Sequence, residues 1–205
     1  MYLNCKTYFS FRYGCFATEE LVKAAVEAGA NTLAITNINA TCDVWDFVQY
    51  CRQHGIKPIA GAEIRNGHRF LYILLARNNK GFKLINEFIT SGLWSKQDFP
   101  EKADFFGNSE DVFVIYPLGA KEPVQLLCNE LIGVLPAEVN KLYGISMKGL
   151  QGKFVIRQRV TFQNKAYYNV HKLLRAIDDN VLLSRLPPAS VAGVDEYFVL
   201  PFRLL

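Results

Sequence analysis

Short apolar runs alternate with amphipathic stretches along most of this chain, and that alternation leaves few folds open. Residues 2–5 read as a strand. Thr18 opens a helix as its cap, with acids in the first turn where the helix dipole favours them, and Gly29 ends it. Residues 32–36 read as the next strand and 43–54 as a helix with Val44, Phe47, Val48 and Cys51 on one face. Residues 57–62 are the third strand. Two strand–helix units in succession imply parallel strands joined by right-handed crossovers.

The rhythm continues. Residues 70–76 read as a strand and 80–90 as a helix carrying Phe82, Leu84, Ile85 and Phe88. Residues 93–109 show no period and read as a connecting loop. Strands are expected at 112–116, 131–135 and 154–160, with short helices at 123–127 and 136–143. Pro123 suits a first helical position. The longest helix is expected at 164–179, with Tyr168, Leu173, Leu174 and Ile177 in the core. Residues 182–205 read as irregular, with a possible strand at 197–200. The fold class is therefore α/β, a distorted (β/α)7-like barrel of mostly parallel strands. Residues 1–205 form one domain, irregular from about residue 181.

Composition narrows the function classes. Half of the 205 residues are hydrophobic and a fifth are charged, as in soluble globular proteins. No apolar run approaches the roughly 20 residues that span a bilayer, and the first residues lack the pattern of a signal peptide. The five cysteines are odd in number and scattered, which argues for reduced thiols in a cytoplasmic protein. A net charge of +4 permits nucleic-acid contact without demanding it. The apolar end, Phe202-Arg-Leu-Leu205, implies a packed terminus or the front portion of a longer chain.

One acid stands out. Gly55-Ile-Lys-Pro-Ile-Ala-Gly-Ala-Glu63 places Glu63 at the far end of a buried strand. Strands covered on both faces are nearly continuous apolar runs, so a cationic partner is expected to face Glu63.

Four segments resemble the PHP (polymerase and histidinol phosphatase) domains. Asn4-Cys-Lys-Thr-Tyr-Phe-Ser10, followed by Gly14, resembles the opening His-x-His-Thr-x-x-Ser…Gly motif. Ala34-Ile-Thr-Asn-Ile38 resembles Ala-Leu-Thr-Asp-His, and the stretch from Gly55 to Glu63 resembles Gly-Ile-Lys-Pro-Ile-x-Gly-x-Glu almost residue for residue. Residues 154–177 resemble the strand and helix carrying a last Asp-x-His pair. The version is that of bacterial DNA polymerase III alpha subunits. The resemblance implies an N-terminal domain of a replicative polymerase, partnered by the remaining domains of that chain and by other replicase subunits. DNA would be met through the full-length protein, and no membrane is involved.

Active members of that family hold metal ions through His, Asp and Glu. The matching positions here are Asn4, Lys6, Asn37, Ile38, Glu63, Arg159 and Thr161, and only Glu63 keeps a good ligand type. Ammonium and guanidinium groups donate to no metal, and isoleucine has no donor. The expectation is thus no catalytic residue, no metal and no cofactor. Lys6 and Arg159 are expected to fill the former metal space and pair with Glu63. Against this stands a reading in which both point to solvent and Glu63 is hydrated.

Two rival functions stay open. One is a phosphoesterase or 3′–5′ exonuclease with a non-standard Mn, Zn or Mg site built from Glu63, Asn4, Asn37 and His68. The other is a nucleic-acid module using Arg157, Arg159, Lys165, Lys172 and Arg175 among Phe162, Tyr167 and Tyr168. The bland reading of that basic stretch is a solvated helix face over core aromatics. His171, beside an apolar face, is expected to serve packing or a hydrogen bond.

Overall fold

A computed structural model describes residues 1–144 and 149–199. Eight strands form one sheet: β1 (Tyr2–Cys5), β2 (Thr32–Ile38), β3 (Lys57–Asn66), β4 (Arg69–Ala76), β5 (Val112–Pro117), β6 (Glu130–Val134), β7 (Phe154–Ile156) and β8 (Arg159–Val160). Among the described residues, four α-helices accompany them: α1 (Thr18–Glu27), α2 (Val44–Gln53), α3 (Asn79–Ser95) and α4 (Tyr167–Asp178). The strand order is β7-β6-β5-β4-β3-β2-β1-β8. All pairings are parallel except those of β4, which runs antiparallel to β3 and β5.

The two edge strands explain the shape. β7 pairs with β6 and β8 pairs with β1, yet only Arg157 and Gln158 separate β7 from β8. The three Cα steps from Ile156 to Arg159 span at most about 11 Å. The far edges of the sheet must therefore meet, and the sheet curls into a distorted barrel as the alternation implies. The single strand expected over 154–160 is in fact split, and the split is the closure.

β3 shows how the chain sorts its faces. Ala60, Ala62 and Ile64 turn outward to the helices, and Ile59, Glu63 and Arg65 turn inward, the alternation a strand imposes. Outside, α1 and α2 cover β1 and β2 through Leu21, Val22, Ala25, Phe47 and Cys51. α3 covers β3, β4 and β5 through Ile85, Phe88 and Ile89. Inside, Leu3, Ala34, Ile73, Leu75 and Ile115 fill the barrel.

Several expectations need correction. Glu63 is not at a strand end. Parallel pairing with β2 stops at Ile38↔Glu63, but the hairpin with β4 carries β3 on to Asn66. α3 runs to Ser95, so the segment read as loop from 93 begins inside a helix. The helices near Pro123 and Pro136 are 3-10 turns, Pro123–Gln125 and Pro136–Gly144. Residues 197–199 form no regular strand, and position 200 lies outside the described residues. Thr18 is the first helical residue rather than the cap, because its hydroxyl donates to Asp43 at 2.8 Å.

α4 meets its expectation only in part: Tyr168 packs against Phe162 as expected, but the large side chains that the helix buries are polar. His171 and Arg175, one turn apart, are buried, while Leu173 and Ile177 are exposed. The inward face was chosen by polar groups that satisfy backbone atoms. His171 Nε2 accepts from the Ala192 amide at 2.8 Å, so its Nδ1 carries the proton and donates to the Tyr13 carbonyl at 2.7 Å. Arg175 Nε donates to the Ser190 carbonyl at 2.9 Å.

Gly14 is fixed by close approach. A Cβ there would stand 2.0 Å from the Thr7 carbonyl oxygen, which belongs to the backbone and cannot swing away. Gly14→Ala is expected to destabilise by about 1–3 kcal/mol or more, read as a lower urea midpoint with an unchanged slope.

Candidate functional site at the barrel mouth

The inward alternation of β3 puts Glu63 and Arg65 side by side, and the parallel register brings Asn4 of β1 and Thr36 of β2 to the same level. The Glu63 carboxylate is fully buried. Its Oε2 takes the Lys6 ammonium at 2.7 Å and the Asn4 amide at 2.6 Å, and its Oε1 takes Arg65 Nε. Asn4 Nδ2 also donates to Thr36 Oγ1 at 3.1 Å. Burial works to raise the Glu63 pKa, but Arg65 and Lys6 outweigh it and hold the carboxyl well below its usual range. Burial pulls the Lys6 ammonium below the ordinary lysine range despite Glu63.

Arg65 is rigidly held. Its Nη2 donates to the Tyr13 hydroxyl at 3.2 Å, and its guanidinium lies 4.5 Å from the Tyr13 ring centroid. Its backbone is clamped by Asn39, whose Oδ1 accepts from the Arg65 amide and whose Nδ2 donates to the Arg65 carbonyl, both at 2.9 Å. Burial pushes the Tyr13 phenol up to about 12. Arg65 also floors a cleft of about 570 Å³ bordered by Tyr13, Ile38, His68 and Arg175.

Lys6 therefore pairs with Glu63 as the sequence suggests, but Arg159 does not. Arg159 Nη1 reaches Glu196 at 2.8 Å and stays partly exposed. The break at Arg157–Gln158 interrupts the two-residue alternation, so Arg157 turns inward instead. It lies 4.4 Å from the Phe70 ring centroid, with Nη1 3.5 Å from Asn4 Oδ1. Gly133 leaves it room, since a Cβ there would come within 3.0 Å of Arg157 Cδ. Burial lowers the Arg157 pKa to about 10. Among the described residues, no carboxylate lies within ion-pair distance of Arg157.

The remaining candidate positions are engaged elsewhere. Asn37 belongs to a second buried cluster. Its Nδ2 donates to Asp43 Oδ1 at 2.7 Å and to Thr7 Oγ1 at 3.0 Å, and its Oδ1 accepts from the Thr7 amide at 2.8 Å and Ser10 Oγ at 2.7 Å. Ile38 packs near Tyr13, Phe162 and Ala192. Thr161 Oγ1 donates to Glu196 Oε2 at 2.5 Å. His68 does not join Glu63. It is half-exposed in the β3–β4 turn, 3.4 Å from Arg175 Nη2 and 3.5 Å from Asp179. Among the described residues, no three His, Cys, Asp or Glu side chains converge to hold a metal.

The basic stretch of the sequence does not make one surface. Arg157, Phe162 and Arg175 are buried, and Arg175 is occupied by Asp178 at 2.6 Å and Asp179 at 3.2 Å. Lys172 lies 5.0 Å from the Tyr168 ring centroid. That arrangement favours the bland reading. Cys5 is buried and its thiol is pushed up to about 12 by desolvation, which leaves it inert.

Sequence reasoning passed over Arg65, Tyr13, Asp43 and Glu196, and took Arg157 only as part of a basic surface. Extending the β3 alternation by one step would have found Arg65. Nothing local marks Glu196, which arrives from the irregular C-terminal segment.

A family model described as PHP domain matches residues 3–182. The DNA polymerase III subunit alpha of Neisseria meningitidis serogroup A is 30% identical over 100 residues, 46% of this chain and 9% of that one. Its counterpart in Pseudomonas aeruginosa is 32% identical over 102 residues, 47% of this chain and 9% of that one. The error-prone DNA polymerase of Pseudomonas aeruginosa is 32% identical over 90 residues, 44% of this chain and 9% of that one. The chain thus matches about 9% of the length of these relatives.

Proposed function

The chain belongs to the PHP domain family, and on that premise we propose that it is the N-terminal domain of a cytoplasmic bacterial replicative polymerase of the DNA polymerase III alpha kind, without metal-dependent catalysis of its own. Its role is structural: it supports the polymerase portions of the longer chain.

The observation that carries this reading is the saturated Glu63 carboxylate. Lys6, Arg65 and Asn4 take its oxygens at the place where the resemblance puts metal ions. The donor set does not fit a metal. Asn4 turns its amide nitrogen to Glu63, both polar atoms of Asn37 serve Thr7, Ser10 and Asp43, and Thr161 serves Glu196. Metal sites need several anionic or imidazole donors converging on one point.

A second observation supports the partner side. α4 and the turn after it expose Val170, Leu173, Ile177, Leu182 and Leu183. A contiguous apolar face is costly in water and marks an interaction surface. The remaining domains of a polymerase chain are its natural cover, since the relatives are about eleven times longer than the part matched.

The test is metal content by elemental analysis, with calorimetric titration of Mn²⁺ and Zn²⁺. The expected result is no stoichiometric metal and no binding heat. Tightly bound metal that is lost in Glu63→Ala would overturn the scaffold reading and put a phosphoesterase in its place.

A further inference from the structure

Glu196 is a buried carboxylate whose partners come from several parts of the fold. Oε1 takes Arg159 Nη1 at 2.8 Å and the Gly193 amide at 2.9 Å, and Oε2 takes Thr161 Oγ1 at 2.5 Å. It is 1% exposed. Three donors of different kinds converging on two oxygens form a carboxylate-binding cradle. Behind it stand Lys6 and Arg65, both paired with Glu63, and Arg157, which among the described residues has no carboxylate within ion-pair distance. Arg157 is 5% exposed, and its Nε has no hydrogen-bond partner. Lys6, Arg65, Arg157 and Arg159 thus gather about the two buried carboxylates, with Asp195 lining the cavity beside them.

We propose that Arg159, Thr161 and the Gly193 amide form an oxyanion site, and that Glu196 is its built-in occupant, carried by a strap over residues 192–199 that stoppers the barrel mouth. The family match ends at residue 182, so the strap comes from chain beyond it. It is fastened on both sides of the stopper. The Ala192 amide is held by His171, and the Thr161 amide donates to the Glu196 carbonyl at 2.8 Å. Gln158 Nε2 donates to the carbonyls of Asp195 at 3.1 Å and Tyr197 at 3.2 Å. The Tyr2 hydroxyl donates to the Val199 carbonyl at 2.5 Å, and the Phe198 ring packs edge-on against Tyr2 with centroids 4.8 Å apart.

A cavity of about 200 Å³ lies beside the cradle, lined by Gln158, Arg159, Asp195 and Glu196 against the turn at Pro136. A small carboxylate has room to reach the donors once the Glu196 side chain is gone. An external phosphate or carboxylate approaching the intact mouth meets a seated carboxylate instead. The ligand class this site takes is a small oxyanion, and the chain supplies it from within.

Acetate is the probe. Glu196→Ala removes the occupant and leaves Arg159, Thr161 and the Gly193 amide in place. Its melting temperature is expected to rise with the logarithm of acetate concentration, beyond the rise in chloride at matched ionic strength. The acetate-over-chloride difference of Glu196→Ala is expected to exceed the general salt effect seen in the wild-type chain and Glu196→Gln, whose mouths stay filled. A difference in Glu196→Ala no larger than in those two would overturn the proposal. If Glu196→Ala does not hold its fold, the folded fraction recovered in acetate against chloride reads the same question: preferential recovery supports the site, and none overturns it. No metal enters this experiment, so its failure is distinct from failure of the scaffold reading.

Discussion

Glu63→Gln is expected to destabilise the chain by about 3–5 kcal/mol, the range for breaking a buried ion pair from one side. At this chain length that is a fall in melting temperature of about 6–20 °C. The reason is what the substitution leaves behind. Lys6 and Arg65 are buried, and both spend their charge on this carboxylate. With a neutral amide in its place, two cations face each other and Arg157 without compensation. Lys6→Met is expected to cost less, because Glu63 then keeps Arg65 and Asn4. The double variant Lys6→Met with Glu63→Gln should recover part of what Glu63→Gln alone loses, since one of the stranded cations is gone. Melting curves of the four proteins check this as a double-mutant cycle. A double variant less stable than Glu63→Gln would contradict the pairing.

The same pair sets an acid limb. The folded pKa of Glu63 lies below its unfolded value near 4.5. A depressed carboxylate contributes stability that is fully present above the unfolded pKa and is lost as pH falls toward the folded one. The stability of the wild-type chain should therefore decline below about pH 4.5, and the decline should be shallower in Glu63→Gln.

Much of this fold was legible because strand–helix alternation is a local signal. Barrel class and mainly parallel pairing follow from apolar runs, and one buried acid called for a cation; that Lys6 supplies it was implied by the family resemblance, which sets Lys6 at a former metal position. What stayed hidden depends on where the alternation breaks or on chain distant in sequence. β3 looked finished at Ala62, where its apolar run gives way to Glu63; its parallel pairing does stop at Ile38↔Glu63, yet β4 extends it and turns Arg65 inward. Arg159 looked like the second cation because the family resemblance sets it at a former metal position, in a strand read as unbroken over 154–160. The break turns Arg157 inward beside Asn4 and sends Arg159 to Glu196, while the second cation on Glu63 is Arg65. For α4, an apolar stripe usually faces the core. Here the hydrogen bonds of His171 and Arg175 to loop backbone decided the orientation, and Leu173 and Ile177 went outward.

Asp43 carries the second large effect. It is buried, and its carboxylate accepts three hydrogen bonds: Thr7 Oγ1 at 2.7 Å, Thr18 Oγ1 at 2.8 Å and Asn37 Nδ2 at 2.7 Å. Those donors sit on the loop after β1, the first residue of α1 and the end of β2, so one side chain ties three segments of the chain to the start of α2. Asp43→Ala strands all three donors. Each hydrogen bond to a charged group is worth about 1.5–3 kcal/mol, and allowing for relaxation the loss should be about 3 kcal/mol. Asp43→Asn distinguishes shape from charge. Its amide nitrogen must oppose either the two threonine hydroxyls or Asn37 Nδ2. Turning Asn37 to match would set its own nitrogen against the Thr7 amide, which now donates to Asn37 Oδ1 at 2.8 Å. Only a hydroxyl can rotate to accept, so the asparagine variant should lose roughly half as much as alanine. Urea midpoints of the two variants measure this directly. An asparagine variant as stable as wild type would mean that the acceptor pattern around Asn37 is looser than these distances imply.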